Sequence, residues 1–150
     1  MKPLLVLLIG FAISLVVIKI ITKTYDYKLA ARIAMSLMLL FTAIGHFVFT
    51  KGMTMMIPEI IPYKELIVYA TGFVEISLAI GILIPKYSSL GAWVLIIFFI
   101  VILPANIYAA MHNINYQNGT FDGHGLSYLW FRIPLQILFI SWTYFSTIRF

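Results

Sequence analysis

Hydrophobic positions in this chain come in long blocks broken by short polar links. Five apolar runs stand out, at residues 3–21, 29–49, 66–84, 90–108 and 129–148. Each is close to the ~20 residues that a helix needs to cross the hydrocarbon of a bilayer. The pattern predicts an all-α integral membrane bundle of five transmembrane helices. The first run opens on Met1-Lys2 and has the apolar character of a signal peptide. It exceeds the usual apolar core of ~7–15 residues, and Lys19, Thr22, Lys23 and Thr24 follow it instead of a small-residue cleavage site. It is expected to be a retained helix.

Two links carry patterns of their own. Residues 53–62 are apolar but too short to span, and Pro58 and Pro62 interrupt any long helix there. They read as a short interfacial or re-entrant segment across one mouth of the bundle. Residues 113–127 hold Asn118-Gly119 and Asp122-Gly123, turn formers that predict an exposed loop. Lys19, Lys23, Lys28, Arg32, Lys86 and Arg149 fall on one side of a five-helix bundle, and Lys2, Lys51 and Lys64 on the other. The side richer in cations belongs in the cytoplasm, with the N-terminus outside and the C-terminus inside.

Composition agrees with the pattern. The 150 residues are 63% hydrophobic and 10% charged, against ~25% charged in soluble domains. Mean hydropathy is +1.04. The ten Lys+Arg against five Asp+Glu read as a topology signal rather than a nucleic-acid footprint. Without cysteine the chain has no disulfide, thiolate metal site or thiol redox couple. One membrane domain is expected, with residues 1–28 as an extra N-terminal helix and link, and residues 29–150 as a four-helix core.

The costly polar residues carry the candidate chemistry. Glu75 sits near the middle of the third run, where a charge costs roughly 3 kcal/mol. Arg132 is expensive alone in lipid and is the expected partner of Glu75. Gln136 lies one turn from Arg132, on the same face. His46 closes the second run after Gly45 and reads as a proton donor, a ligand, or a hydrogen-bond strut to Glu75. Asn106 follows Pro104, where the fourth helix is expected to break. His46, Glu75, Asn106, Arg132 and Gln136 thus define an expected polar pocket in the outer half of the bundle. Functionally, Arg132 would bind an anionic or carbonyl oxygen and Glu75 would move a proton; structurally, the pair would only fix helix packing.

Other features have plainer readings beside functional ones. Met53, Met55 and Met56 suit a flexible cover over a greasy ligand such as a quinone, or contact with lipid. Gly45, Gly72 and Ala79 suit close helix approach. Tyr63, Tyr69, Tyr108, Tyr128, Trp130, Trp142 and Tyr144 lie mostly near run ends, as an interfacial belt does. His46 with His112 would be a haem pair only if the two faced each other, so haem is not expected. With His124 the three histidines have no carboxylate cluster, and no metal is expected.

The ordered set GHFVFTKGMTMMIPEIIPYKE, Gly72 with Glu75, LPANIYAA, Arg132-Ile-Pro-Leu-Gln136 and Trp142 resembles the DoxX family of small bacterial inner-membrane proteins. That resemblance implies the four-helix core and points to the same five polar residues. It also implies a membrane subunit of a quinone-linked redox system, with a quinone headgroup in the pocket and other redox subunits as partners. The alternative is a non-enzymatic assembly factor, scaffold or small-molecule carrier whose ion pair is structural.

Overall fold

The computed structural model describes residues 1–149 and is all-α among them. Its helices are α1 (Lys2–Thr22), α2 (Tyr27–Val48), α3 (Thr50–Met55), α4 (Lys64–Gly81), α5 (Ser88–Met111) and α6 (Leu129–Thr143). A 3-10 turn, Gly125–Tyr128, leads into α6, and a π turn, Tyr144–Ile148, continues it.

Three of these helices, α1, α2 and α5, are long and apolar enough to cross a membrane, which corrects the expected five. The reasons are local. α4 opens on Lys64-Glu65 and carries Glu75, so its 18 residues hold three charges. α6 keeps α-helical bonding for only 15 residues before its bonds widen into the π turn. Three such helices are compatible with a membrane protein. So is the outer surface of the long helices, where Ile9, Ile13, Ile44, Phe73, Ile80, Ile97, Val101 and Ile137 lie exposed.

α1 and α2 form a hairpin. Lys23 caps α1 in a left-handed conformation, φ 61°, and its N–H bonds the Lys19 carbonyl at 3.0 Å. Asp26 starts α2 by accepting from the Leu29 N–H at 2.9 Å. α4 packs on α2 and α5, and α5 in turn on α6. Leu7, Met35, Met38, Leu39, Ile82 and Leu95 are fully buried where the long helices meet, joined by Phe99, Leu135 and Phe139.

Pro104 does not end α5. The helix continues to Met111 with the proline inside it, correcting the expected break. Proline costs α5 one backbone bond, a loss that neighbouring helices and polar side chains can offset within a bundle. Trp142 has specific partners: its Nε1 donates to the Ala31 carbonyl at 3.0 Å and its ring meets Phe11 edge-on at 5.2 Å. It joins α6 to α1 and α2.

A cap covers the end of the bundle where α2 finishes. Residues 53–62 contribute the last turn of α3 and then run without regular structure. The loop after α5 is tied by the Asn115–Thr120 bridge and by the Gly123 N–H on the Asn113 carbonyl at 2.7 Å. The Thr120 hydroxyl donates to Asp122 and holds that carboxyl below its usual range. Gly52 locks loop to α3, because a Cβ there would lie 1.7 Å from the Tyr116 carbonyl oxygen. The loop is mostly exposed, as expected, but is docked on α3 along Tyr116.

Candidate functional site

Where α2 crosses α4, Gly72 removes the side chain that would keep the helices apart. A Cβ on Gly72 would lie 3.0 Å from the His46 Cβ and 3.2 Å from the Phe47 ring. The close approach lets the His46 ring lie along α4, reaching both its backbone and Glu75. His46 Nδ1 is 3.1 Å from the Val68 carbonyl oxygen and 3.0 Å from the Thr71 hydroxyl. His46 Nε2 is 3.5 Å from Glu75 Oε2.

A carbonyl only accepts, so the Val68 contact is a hydrogen bond in the tautomer that carries a hydrogen on Nδ1. Thr71 donates to the Ile67 and Val68 carbonyls, at 3.0 and 2.8 Å, and presents a lone pair to Nδ1. In that tautomer Nε2 faces Oε2 at 3.5 Å, and the pair is neutral when one further proton is held on either side. Glu75 is 4% exposed, and its Oε2 has no hydrogen-bond partner. A buried carboxyl oxygen without a hydrogen bond is a costly feature.

Arg132 is not the partner of Glu75. No ion pair among the described residues includes it, and its Nε is buried without a hydrogen-bond partner. The packing order explains why. α4 lies against α2 and α5, whereas α6 lies mainly against α5, so the side chain that reaches Glu75 is His46. Arg132 instead stands by the start of α1. Burial first, then the charges of Arg132 and Lys2, hold the Met1 ammonium below its usual value.

The other two polar residues bond backbone carbonyls, one across helices and one within its own. Gln136 Nε2 donates to the Phe99 carbonyl at 2.8 Å, tying α6 to α5. Asn106 Nδ2 donates to the Ile102 carbonyl at 3.3 Å, one turn back in its own helix. No hydrogen bond among the described residues joins Asn106, Arg132 or Gln136 to the His46–Glu75 pair. His112 bonds the Tyr108 carbonyl at 2.9 Å, and His124 stacks on Tyr128. No group of three metal-binding side chains occurs among the described residues.

Two open grooves lie elsewhere. One, of about 570 Å³, follows residues 24–28, and one of about 440 Å³ lies between α1, α2 and α6. Neither is lined by the five predicted polar residues. Thr71 escaped sequence reasoning, although its place four residues before Glu75 put both on one face of α4.

Comparison with known proteins identifies the family. A family described as a domain of unknown function (DUF8561) matches residues 35–147, about three quarters of the chain, and the protein belongs to it. The match overturns the resemblance to DoxX proteins. Apolar helices punctuated by a buried acid, a small residue and a proline follow from bilayer physics and are shared by unrelated bundles. No curated protein matches the chain, and no solved structure does.

Proposed function

Starting from a family without an assigned activity, we propose that this protein is a five-crossing membrane bundle whose His46–Glu75 pair takes up and releases a proton. The observation that carries this is Glu75 Oε2, buried, facing His46 Nε2 and lacking any hydrogen bond. A site built only to be stable would satisfy that oxygen or replace the pair with apolar side chains. With one proton the pair is neutral and tolerable at membrane depth; gaining or losing one leaves a net charge that a neighbouring ligand or conformational change must accommodate. Thr71 and Val68 hold Nδ1, so the exchange is confined to the Nε2 side.

The neutral-pair arrangement also suits a protein that passes protons to a bound small molecule, including a quinone. Without the DoxX relationship, and with Arg132 away from Glu75, that narrower role rests on what the protein carries when isolated. A strut is the second reading, favoured by the three-way hold on His46 from Val68, Thr71 and Glu75.

The test is nitrogen NMR of the His46 ring in detergent, from about pH 5 to 8, where imidazoles change charge. The expected result is a protonation step at Nε2 that moves in Glu75→Gln while Nδ1 stays protonated. An Nε2 signal that ignores both pH and Glu75→Gln would overturn the proton reading and leave the strut. Mass spectrometry of small molecules extracted from the same preparation identifies any coupled ligand.

A further inference from the structure

Arg132 is a costly side chain that neither the helix packing nor the His46–Glu75 pair uses. Its Nε is buried without a hydrogen-bond partner, and no ion pair among the described residues includes it. We propose that Arg132 binds one phosphate group at the cap end of the bundle, through the edge of its guanidinium that carries Nε. The site stands apart from the His46–Glu75 pair and does not depend on proton exchange there.

Register places the site. α6 ends, like α1, beside the start of α2, where Trp142 bonds the Ala31 carbonyl and Arg32 bonds the Ser146 carbonyl. α1 and α6 therefore run parallel, and Phe11 of α1 meets Trp142 of α6. Ten residues back along each helix, the start of α1, with Met1 and Lys2, is level with Arg132. The Met1 ammonium has the same neighbours: after burial, the charges of Arg132 and Lys2 hold it below its usual value. α1 rises roughly 32 Å over its 21 residues, close to the ~30 Å of hydrocarbon. A crossing α1 puts its first turn, and Arg132 with it, at the level of lipid headgroups. Trp130, two residues before Arg132 and 87% exposed, is of the aromatic type enriched at that level.

The guanidinium selects the ligand. Its Nε–H and one Nη–H lie side by side, spaced to bond two oxygens of one oxyanion. Desolvated without an acceptor, Nε carries the penalty of a buried, unsatisfied donor. Arg132 as a whole is only partly buried, so turning that edge outward onto an oxyanion recovers the loss. The chain's own carboxylates do not supply one. Asp26 caps α2 at the other end, Glu75 faces His46, Asp122 takes the Thr120 hydroxyl, and neither Glu59 nor Glu65 pairs with Arg132. The first turns of α1 and α6 hold no acid, and Lys2 adds a positive charge at the same level. At headgroup depth the anion that answers such charges is a phosphate. A lipid headgroup and a soluble phosphate compound present the same group.

The test is nitrogen NMR of the arginine Nε–H groups in mild detergent. Arg32, Arg132 and Arg149 are the chain's arginines, and Arg132→Lys identifies the Arg132 signal by its loss. Inorganic phosphate and phosphatidylglycerol are titrated separately, with sodium chloride and diacylglycerol as controls. The expected result is a saturable shift of the Arg132 signal with a phosphate-bearing probe and none with either control. Movement with phosphatidylglycerol alone identifies a lipid headgroup, and movement with inorganic phosphate identifies a soluble phosphate compound. Arg132→Lys keeps the charge and loses the fork, so phosphorus NMR should show the effective probe binding about tenfold more weakly, the loss of one charge-assisted hydrogen bond. An Arg132 signal that ignores both phosphate probes, or that follows a control equally, would overturn the proposal, as would wild-type binding by Arg132→Lys. Should Arg132→Lys misfold, Arg32→Lys/Arg149→Lys leaves Arg132 as the one arginine, and the same titrations decide.

Discussion

At the scale of the residue, the open question is whether His46 and Glu75 stabilise the bundle or are tolerated for another reason. Removing one member of a buried pair strands the other, at a cost of about 3–5 kcal/mol, while replacing both with apolar residues is often neutral or stabilising by about 1–4 kcal/mol. His46→Leu alone should therefore lower the unfolding midpoint in detergent, and His46→Leu/Glu75→Leu should recover it or exceed wild type. Glu75→Gln should cost little, because its amide can donate to Nε2 in place of the shared proton. A double variant less stable than either single one would show that the pair holds the fold together. Gly72→Ala probes the same site from the backbone side. Its methyl would press on His46 and Phe47, and overpacking of that kind costs about 1–3 kcal/mol. It should also break the proton step seen by NMR. Glu75 was legible in the sequence because an acid in an apolar run is conspicuous by its cost. Its partner was legible only as one alternative, His46 as a strut beside the expected Arg132, because partner choice depends on which helices are neighbours, and hydrophobic periodicity says nothing about neighbour order.

At the scale of the element, α1, α2 and α5 could be read from apolar length alone, within a few residues at each end. The other helices show where that signal stops. α4 ends at Gly81 rather than continuing to residue 84, and α5 runs through Pro104 because the bundle supports a helix that the isolated sequence would break. The cap was legible as two irregular links but not as one unit, since the contact between Gly52 and Tyr116 joins residues 64 positions apart. That contact makes a sharp prediction. A Cβ at residue 52 would stand 1.7 Å from a backbone oxygen, and no rotamer change relieves a clash with backbone. Gly52→Ala should release the loop from α3 and expose the bonds around Asn118 to limited proteolysis, while the helix content of the bundle stays unchanged. An intact, protease-resistant loop in that variant would mean that α3 shifts as a whole, taking Tyr116 with it.

At the scale of the molecule, what matters is whether α4 and α6 cross the membrane with α1, α2 and α5. Packing favours it. α4 meets His46 near the end of α2, and a Cβ on Gly91 near the start of α5 would lie 3.3 Å from the Gly81 carbonyl carbon at the far end of α4. A helix in contact with opposite ends of two neighbours that are long and apolar enough to span lies along them, and 18 residues rise roughly 27 Å at 1.5 Å per residue, near the ~30 Å of hydrocarbon. The alternatives differ in where the links fall. With five crossings and an outside N-terminus, Lys86 is cytoplasmic and Asn118 is outside. With only α1, α2 and α5 crossing, both links change sides. Because the chain has no cysteine, single substitutions can be labelled against a silent background. Asn118→Cys should react with a membrane-impermeant maleimide in intact cells, and Lys86→Cys only after permeabilisation, like Thr24→Cys in the α1–α2 link. Labelling of Lys86→Cys but not Asn118→Cys or Thr24→Cys in intact cells would remove α4 and α6 from the membrane. The neutral-pair argument for Glu75 would go with them, because a carboxylate on a helix lying at the water interface has no need to share its proton.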